Sequence, residues 1–311
     1  MKILVTGAFG QIGSELVPTL QVKYGRNNVV ALGNRHFPSD FDGILEVGRL
    51  PNKKLLDSII KKHQIETVYH LVSLLSAKGE IDPDLTWKVN INSLKDVLDL
   101  GREHHLKIFW PSSIAVFGPT TPRQKTPQHT ILEPTTMYGV TKATGELLCQ
   151  YYFLKYGVDI RSLRYPGLIS WKAEPGGGTT DYAVAIFYEA IKSGHYKCFV
   201  RADTTLPMMY MDDAIRGTLE LMTAPAEKLT VHTSYNFAAI SFRAQELAQE
   251  IQKRLSLKVN YSPDQRQKIA DSWPQLIDDY QARRDWRWKH QFNLRKITKV
   301  MVKELQRKLR K

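Results

Sequence analysis

The sequence predicts an α/β fold, namely a doubly wound parallel sheet that carries a smaller, discontinuous α/β lobe. Three observations predict it. Short apolar strands alternate with helical stretches through the first half of the chain. A glycine-rich turn follows the first of these strands directly. Beyond Arg164 the alternation becomes less regular, which indicates a second lobe.

The strands and helices of the sheet can be placed from the apolar pattern. The predicted strands are Ile3–Thr6, Val29–Leu32, Ile44–Val47, Val68–Leu71, Ile108–Pro111 and Ile160–Arg164. The predicted helices between them lie near Gln11–Tyr24, Lys53–Lys62, Leu85–Glu103 and Met137–Tyr156. In such sheets ligands bind outside the carboxyl ends of the strands, so residues at those ends are the first candidates for a site.

The glycine turn has the spacing that holds a dinucleotide pyrophosphate. Gly7 permits a tight turn, Gly10 lets backbone N–H groups approach the phosphates, and Gly13 lets the helix pack close to the strand. Gln11 and Ile12 open the helix, whose N-terminus offers free N–H donors to an anion. The turn therefore predicts a dinucleotide-binding Rossmann domain.

The second half of the chain divides less cleanly. The composition of Glu174–Thr180 predicts a loop, and a helix is expected over Asp181–Lys192. Leu206–Met222 is interpreted as a return to the sheet followed by a helix. We expect the dinucleotide-binding domain to comprise 1–165 and about 206–236. The substrate lobe would comprise about 166–205 and 237–311.

Composition limits the class of protein. The hydrophobic fraction of 42% is that of an ordinary globular protein, and two cysteines in no metal-ligand spacing indicate no disulfide framework and no metal site. No signal peptide and no membrane span are expected, and we expect a cytoplasmic protein. The net charge of +13 is unusual. Because the basic C-terminal segment carries apolar residues three or four apart, we interpret it as a solvated helix face, and no nucleic-acid partner is expected.

A candidate catalytic set lies on the predicted helix Met137–Tyr156 and on the strand before it. Tyr138 and Lys142 are one helical turn apart on one face, and Ser113 closes the preceding strand. A free tyrosine is a poor base at neutral pH, and a nearby ammonium lowers the pKa of its phenol. With a serine to hold the reacting oxygen, these groups can move a proton on an alcohol while hydride passes to a nicotinamide.

The glycine spacing together with Ser113, Tyr138 and Lys142 resembles the extended short-chain dehydrogenase/reductase family, whose best-known members are sugar-nucleotide epimerases. The resemblance implies that Asn90 supports the proton relay near the lysine. It also implies cofactor contacts for a set of residues outside the glycine turn, namely Asn34, Arg35, Leu71, Asn90, Tyr138, Lys142 and Tyr165.

Longer segments resemble the epimerase-type L-threonine 3-dehydrogenases over nearly the whole chain. They include Pro166–Ser170, Glu174–Tyr182, Leu206–Met211 and Ile269–Pro274. The resemblance implies oxidation of L-threonine at Cβ to 2-amino-3-oxobutyrate, with Tyr138 as the base. It implies an amino-acid pocket lined by Ser76, Ser113, Tyr138, Gly178, Thr179 and Thr180.

One departure from the family concerns the cofactor. Gly33 stands at the end of the second strand, where relatives that use NAD carry an acid on the ribose 2′-OH. Gly48-Arg49 likewise replaces an aspartate near the adenine. Either Arg35 favours a 2′-phosphate and hence NADP, or Asn34 binds the ribose of NAD. By resemblance we expect NAD.

Two other functions compete with the dehydrogenase. One is a sugar-nucleotide epimerase or dehydratase on the same scaffold, and the other is a dinucleotide-binding scaffold without turnover. By family analogy we expect a homodimer through the helices Leu85–Glu103 and Met137–Tyr156, because their apolar content is too high for one exposed face.

Overall fold

The computed structural model describes residues 1–34 and 37–310, with the backbone alone at Ala77 and Lys78. Within the described residues the chain forms two compact units. Unit 1 comprises Met1–Ser113, Thr136–Arg164 and Thr218–Tyr235. Unit 2 comprises Ile114–Thr135, Tyr165–Gly217 and Asn236 onward.

The strands form three sheets. In chain order they are β1 Ile3–Thr6, β2 Val29–Gly33, β3 Ile44–Val47, β4 Thr67–His70, β5 Lys107–Ser113, β6 Ile160–Tyr165, β7 Gly167–Ile169, β8 His195–Cys198, β9 Thr205–Tyr210, β10 Tyr235–Asn236, β11 Ile240–Arg243 and β12 Lys258–Tyr261. The largest sheet has the order β10-β6-β5-β4-β1-β2-β3, a second has the order β11-β9-β7, and β12 pairs with β8.

The helices flank these strands. They are α1 Gly13–Tyr24, α2 Lys53–His63, α3 Ser76–Ile81, α4 Pro83–Trp87, α5 Ser93–His104, α6 Met137–Tyr156, α7 Tyr182–Lys192, α8 Met211–Thr223, α9 Ala244–Gln252, α10 Arg266–Ser272, α11 Tyr280–Trp286 and α12 Leu294–Leu309. Among the described residues, no helix has both the length and the apolarity needed to cross a bilayer.

The large sheet is built around β1, as a doubly wound sheet requires. β1 pairs in parallel with β2 on one side and with β4 on the other, and its residues Ile3, Leu4 and Val5 are fully buried. β4 pairs in parallel with β5, and β2 with β3. The carboxyl ends of β1, β2, β3, β4 and β5 therefore line one edge of the sheet, where a ligand is expected. The α/β fold class is confirmed.

The region expected as one helix over Leu85–Glu103 is divided. Asp82 caps α4 by accepting the N–H of Leu85 at 2.9 Å, and Pro83 begins the helix. A π-helical turn over Lys88–Asn92 then separates α4 from α5. Such turns arise where one extra residue enters a helix, and apolar periodicity alone does not reveal them.

The unit boundaries differ from the expected domain boundaries at two places. Residues 114–135 belong to unit 2, because their backbone pairs with a later segment of that unit: Thr126 N–H donates to the Leu276 carbonyl at 2.9 Å. The return to unit 1 begins at Thr218 rather than near 206. The reason is that β9 pairs with β7 and β11, both in unit 2.

Candidate active site

The glycine turn lies at the carboxyl end of β1 and has the backbone geometry that its spacing predicts. Gly7 has a φ of +68°, in the left-handed region that disfavours a side chain. A Cβ at Gly13 would come within 2.4 Å of the Gly7 carbonyl oxygen, so only glycine lets α1 begin so close to the strand. Gln11 and Ile12 lie between them, half-buried, immediately before α1.

A cavity of about 680 Å³ lies beside this turn in unit 1. Its wall brings together the glycine turn, the ends of four strands and the helical segment after β4. The lining residues are Gly7, Phe9, Gly10, Leu32, Gly33, Asn34, Gly48, Arg49, Leu50, Pro51, Leu71, Val72, Ser73, Leu74, Leu85, Lys88 and Val89. The predicted cofactor contacts Gly7, Gly10, Asn34 and Leu71 are thus on one wall, and Arg35 lies outside the described residues.

This cavity has the size and the donors to hold a dinucleotide. Gly7 and Gly10 line the cavity just before α1 begins at Gly13, and the N-terminus of a helix favours an anion. The charged lining residues, Arg49 and Lys88, are both cations. The residues present therefore fit a nicotinamide dinucleotide.

The three predicted catalytic residues converge in unit 1. Ser113 ends β5, and its hydroxyl shares a hydrogen bond with the Tyr138 phenol. Lys142 lies one turn further along α6, with Nζ 5.5 Å from the centroid of the Tyr138 ring. Thr136 caps the start of α6 by accepting the Gly139 N–H at 3.1 Å, which fixes the helix end that presents Tyr138.

The buried environment opposes charge on both the phenol and the ammonium. Burial raises the pKa of Tyr138 to about 12, although the hydrogen bond with Ser113 lowers it. Burial lowers the pKa of Lys142 to about 7, against the field of Glu146. Burial, rather than the charge of Lys142, therefore dominates the pKa of Tyr138. The Lys142 Nζ donates to the Pro111 carbonyl at 2.7 Å.

Asn90 has a positioning role in this geometry. It lies in the π-helical turn, and its Oδ1 accepts the Leu74 N–H at 2.7 Å. Its Nδ2 donates to the Leu74 carbonyl at 3.1 Å and to Thr141 Oγ1 at 3.0 Å. Thr141 in turn donates to the Tyr138 carbonyl at 2.8 Å. The side chain that was expected to contact the cofactor therefore ties the wall of the cavity to α6.

A buried ionic network supports the lysine, and the sequence analysis did not identify it. Glu146, 1% exposed, accepts Ser112 Oγ at 2.6 Å and Arg164 through two bonds of 2.9 and 2.7 Å. The signal was present, since Tyr138, Lys142 and Glu146 recur every four residues on one face of α6. Glu146 therefore anchors α6 to both strands that flank it, β5 and β6.

The predicted substrate residues lie in both units. Ser76 begins α3 in unit 1 and is 7% exposed. Gly178, Thr179 and Thr180 form a loop in unit 2, directly before Asp181.

The loop is ordered by hydrogen bonds rather than being a loose connector. The Asp181 carboxylate accepts the N–H groups of Gly177 at 2.7 Å and Gly178 at 2.8 Å. Burial raises the pKa of Asp181, against these backbone donors. In the same unit, the predicted cofactor contact Tyr165 is buried, with its ring 5.6 Å from that of Phe237.

Comparison with known proteins agrees with this geometry. Residues 3–238 match the NAD dependent epimerase/dehydratase family. A mitochondrial L-threonine 3-dehydrogenase of Bos taurus is 47% identical over 97% of this chain and 82% of its own length. A monomeric L-threonine 3-dehydrogenase from a metagenome, in its apo form, is 49% identical, with a TM-score of 0.95 over 98% of this chain and 99% of its own.

A GalE-like L-threonine dehydrogenase from Cupriavidus necator, in its holo form, is 48% identical, with a TM-score of 0.95 over 98% of this chain and 100% of its own. These similarities extend over both units, beyond the segment that the family model matches. The glycine turn, the cavity beside it and the Ser113–Tyr138–Lys142 cluster thus occur in a chain that belongs to the NAD dependent epimerase/dehydratase family.

Proposed function

We propose that this protein oxidises L-threonine at its Cβ hydroxyl and gives 2-amino-3-oxobutyrate. The observation that carries the proposal is the convergence of Ser113, Tyr138 and Lys142 in a chain that is 47–49% identical to L-threonine 3-dehydrogenases over almost its whole length. A bound nicotinamide dinucleotide supplies the hydride acceptor for this oxidation.

The side chains handle the proton. Tyr138, in its deprotonated form, takes the proton from the Cβ hydroxyl as that carbon loses its hydride and becomes a ketone. Ser113 already shares a hydrogen bond with the phenol, so its hydroxyl is placed to bind the same substrate oxygen. One proton and one hydride leave the substrate, which balances a two-electron oxidation of an alcohol.

In its protonated form, Lys142 places a positive charge beside the phenol, with Nζ 5.5 Å from the centroid of the Tyr138 ring. Its Nζ lies 4.6 Å from the centroid of the Trp110 ring and donates to the Pro111 carbonyl. Glu146 two turns beyond Tyr138 favours the charged form of the lysine. We propose that Lys142 favours the phenolate by its charge and also binds the nicotinamide ribose.

The polar groups of the loop Gly178–Thr180 suit the recognition of a small zwitterion such as an amino acid. Gly178, Thr179 and Thr180 offer backbone and hydroxyl groups without bulk, and Asp181 fixes the loop in place. We propose that this loop binds the amino and carboxylate groups of threonine. A nucleotide-linked sugar, in contrast, brings a diphosphate that needs cationic partners.

A sugar-nucleotide epimerase or dehydratase is the second candidate, because the matching family includes both activities by its description. One assay separates it from the first. L-threonine and oxidised dinucleotide should produce reduced nicotinamide, followed by its absorbance, with the purified protein. Turnover of a sugar nucleotide together with silence on threonine would replace the proposal, and cofactor binding without any turnover would indicate a scaffold.

We also propose a homodimer formed through the helical regions Leu85–Glu103 and Met137–Tyr156, the second of which is α6. Four apolar residues lie on the exposed side of α6, with Leu147 at 62% and Leu154 at 71% exposure beside Val140 and Tyr151. In the other helical region Leu85 and Trp87 are exposed, as is Ile81 just before it. An apolar patch of this kind on a globular protein marks an interface, and a second copy offers a self-complementary partner.

A further inference from the structure

The space in which an acidic side chain would select NAD is filled by an aromatic ring. A Cβ built on Gly33 would lie 2.6 Å from Cδ2 and 2.7 Å from Cε2 of Phe9. The Phe9 ring is itself held by aromatic neighbours, with centroids 5.1 Å from Phe41 in an edge-on arrangement and 6.1 Å from Phe37. Position 33 therefore lacks both a carboxylate and the space for one, because the Phe9 ring lies where an aspartate side chain would begin.

The charges around this wall favour an anion. Asn34 and Arg49 both line the cavity, and the Gly48 N–H donates to the Gly33 carbonyl at 2.9 Å, so the ends of β2 and β3 adjoin. No aspartate or glutamate is among the described lining residues. Glu46 on β3 is engaged elsewhere, since its Oε1 lies 2.7 Å from Lys62 Nζ and 2.7 Å from His63 Nε2.

These observations concern whether the cavity favours a 2′-hydroxyl or a 2′-phosphate on the adenosine ribose of the cofactor. A carboxylate at the end of the second strand binds the 2′-OH of NAD with two hydrogen bonds and repels a phosphate at that position. Here neither effect is available from the described lining of the cavity. A guanidinium and an amide remain, and a guanidinium binds phosphate oxygens in a bidentate, charge-assisted manner.

We infer that the cavity of unit 1 prefers a dinucleotide with a 2′-phosphate on its adenosine ribose, and that the Phe9 ring fills the space that an acidic side chain at position 33 would need. This inference rests on the proposed use of a nicotinamide dinucleotide and selects NADP over the NAD that resemblance favoured. Arg49 and Asn34 would bind the phosphate. The preference is a property of binding and does not depend on which alcohol is oxidised.

The test is the dissociation constant of NADPH against that of NADH for the wild-type protein without substrate, measured by calorimetry. We expect NADPH to bind at least about ten-fold more tightly, with a difference that shrinks as ionic strength rises. Equal or tighter binding of NADH would overturn the inference while leaving the dehydrogenase intact. If neither dinucleotide binds, the proposed function itself fails.

Two variants test the residues. Arg49→Ala should weaken NADPH about ten-fold and change NADH by less than about two-fold. Lys155→Ala, which removes an exposed cation on α6, is the matched control and should change neither constant. An Arg49→Ala protein with the wild-type ratio would contradict its assignment.

The role of Phe9 is tested by restoring the acid. Gly33→Asp alone should be destabilised, because the new side chain meets the Phe9 ring. The double variant Phe9→Ala/Gly33→Asp removes that obstruction and should shift the preference toward NADH by at least about ten-fold relative to Phe9→Ala alone. A double variant that folds and retains the NADPH preference of Phe9→Ala would show that position 33 does not govern the choice.

Discussion

At the scale of single residues, the site depends on Lys142, whose buried surroundings disfavour the charged form of its amine. Lys142 is 3% exposed, and its Nζ lies beside the rings of Trp110 and Tyr138 and donates to a backbone carbonyl. Burial lowers its pKa from 10.5 to about 7. A function that needs an ammonium near a phenol therefore has a cost in stability, which Glu146 partly offsets by its opposite charge.

This cost predicts a pH dependence of stability. Between about pH 7 and 10.5 the unfolded chain holds a proton on Lys142 that the folded protein does not, so the free energy of unfolding should rise with pH by up to about 5 kcal/mol. Lys142→Met should flatten this rise in urea titrations. Lys155→Met, an exposed lysine of the same helix, is the control and should retain it. A wild-type protein whose stability is level across this range would contradict the lowered pKa of Lys142 in the folded state.

The sequence predicted the positions of Tyr138 and Lys142 on α6, but it did not predict how burial shifts their pKa values. Spacing placed Tyr138 and Lys142 on one face, and the structure agrees. The direction of the tyrosine pKa depends on how deeply the side chains are buried and on where Nζ points. Both are tertiary properties, so a local pattern could not supply them.

At the scale of elements, the sheet is stabilised beneath the glycine turn by a buried histidine. His70 at the end of β4 lies opposite Thr6 of β1, and its Nδ1 is 2.7 Å from Thr6 Oγ1. Its Nε2 is 3.0 Å from Ser93 Oγ at the start of α5. Burial and the charge of Lys142 lower the pKa of His70 to about 3.

We expect acid to destabilise the fold through this histidine. Between pH 6.5 and about 3 the unfolded chain binds a proton at His70 that the folded protein does not, so stability should fall as pH falls through 6.5. His70→Gln keeps an amide for both hydroxyl partners and should show a shallower loss, measured by thermal unfolding from pH 7 to 4. His195→Gln, at an exposed site on β8, should follow the wild type. Equal slopes for all three proteins would refute this role.

Elements of the large sheet were predictable because buried parallel strands appear as apolar runs. The predicted Ile3–Thr6 and Ile44–Val47 match β1 and β3 residue for residue. The π-helical turn over Lys88–Asn92 was not predictable, because apolar periodicity does not reveal an inserted residue. The hydrogen bonds of Asn90 were not predictable either, because Leu74 and Thr141 are distant in sequence.

At the scale of the whole molecule, the excess positive charge is concentrated near the C-terminus. Residues 294–311 contain eight lysines and arginines and one glutamate. Ile297, Met301 and Leu305 of α12 are fully buried within unit 2, which agrees with the interpretation of an amphipathic helix.

The unit boundary at Thr218 was not predictable from the sequence. It depends on which strands pair with β9, and the apolar pattern of a strand does not identify its neighbours in the sheet.

Assembly is the prediction at this scale. The wild-type protein should sediment as a dimer at micromolar concentration, and Leu147→Glu/Leu154→Glu should sediment as a monomer, because two charges enter the proposed apolar contact. Val22→Glu, at a residue of α1 that is 89% exposed, should leave the mass unchanged. The similar L-threonine 3-dehydrogenase from a metagenome is monomeric. If the wild-type form of the present protein also sediments as a monomer, the dimer proposal is wrong.

The most direct measurement concerns the phenol of Tyr138. The measurement compares threonine-dependent formation of reduced nicotinamide by the wild type and the variants Tyr138→Phe and Tyr151→Phe. Tyr151 is an exposed tyrosine of the same helix, so its variant is the control. Loss of the base should lower kcat by about 10²–10⁴-fold in Tyr138→Phe while the dinucleotide dissociation constant stays nearly unchanged. Tyr151→Phe should match the wild type. A Tyr138→Phe enzyme that turns over threonine at the wild-type rate would contradict the proposed chemistry.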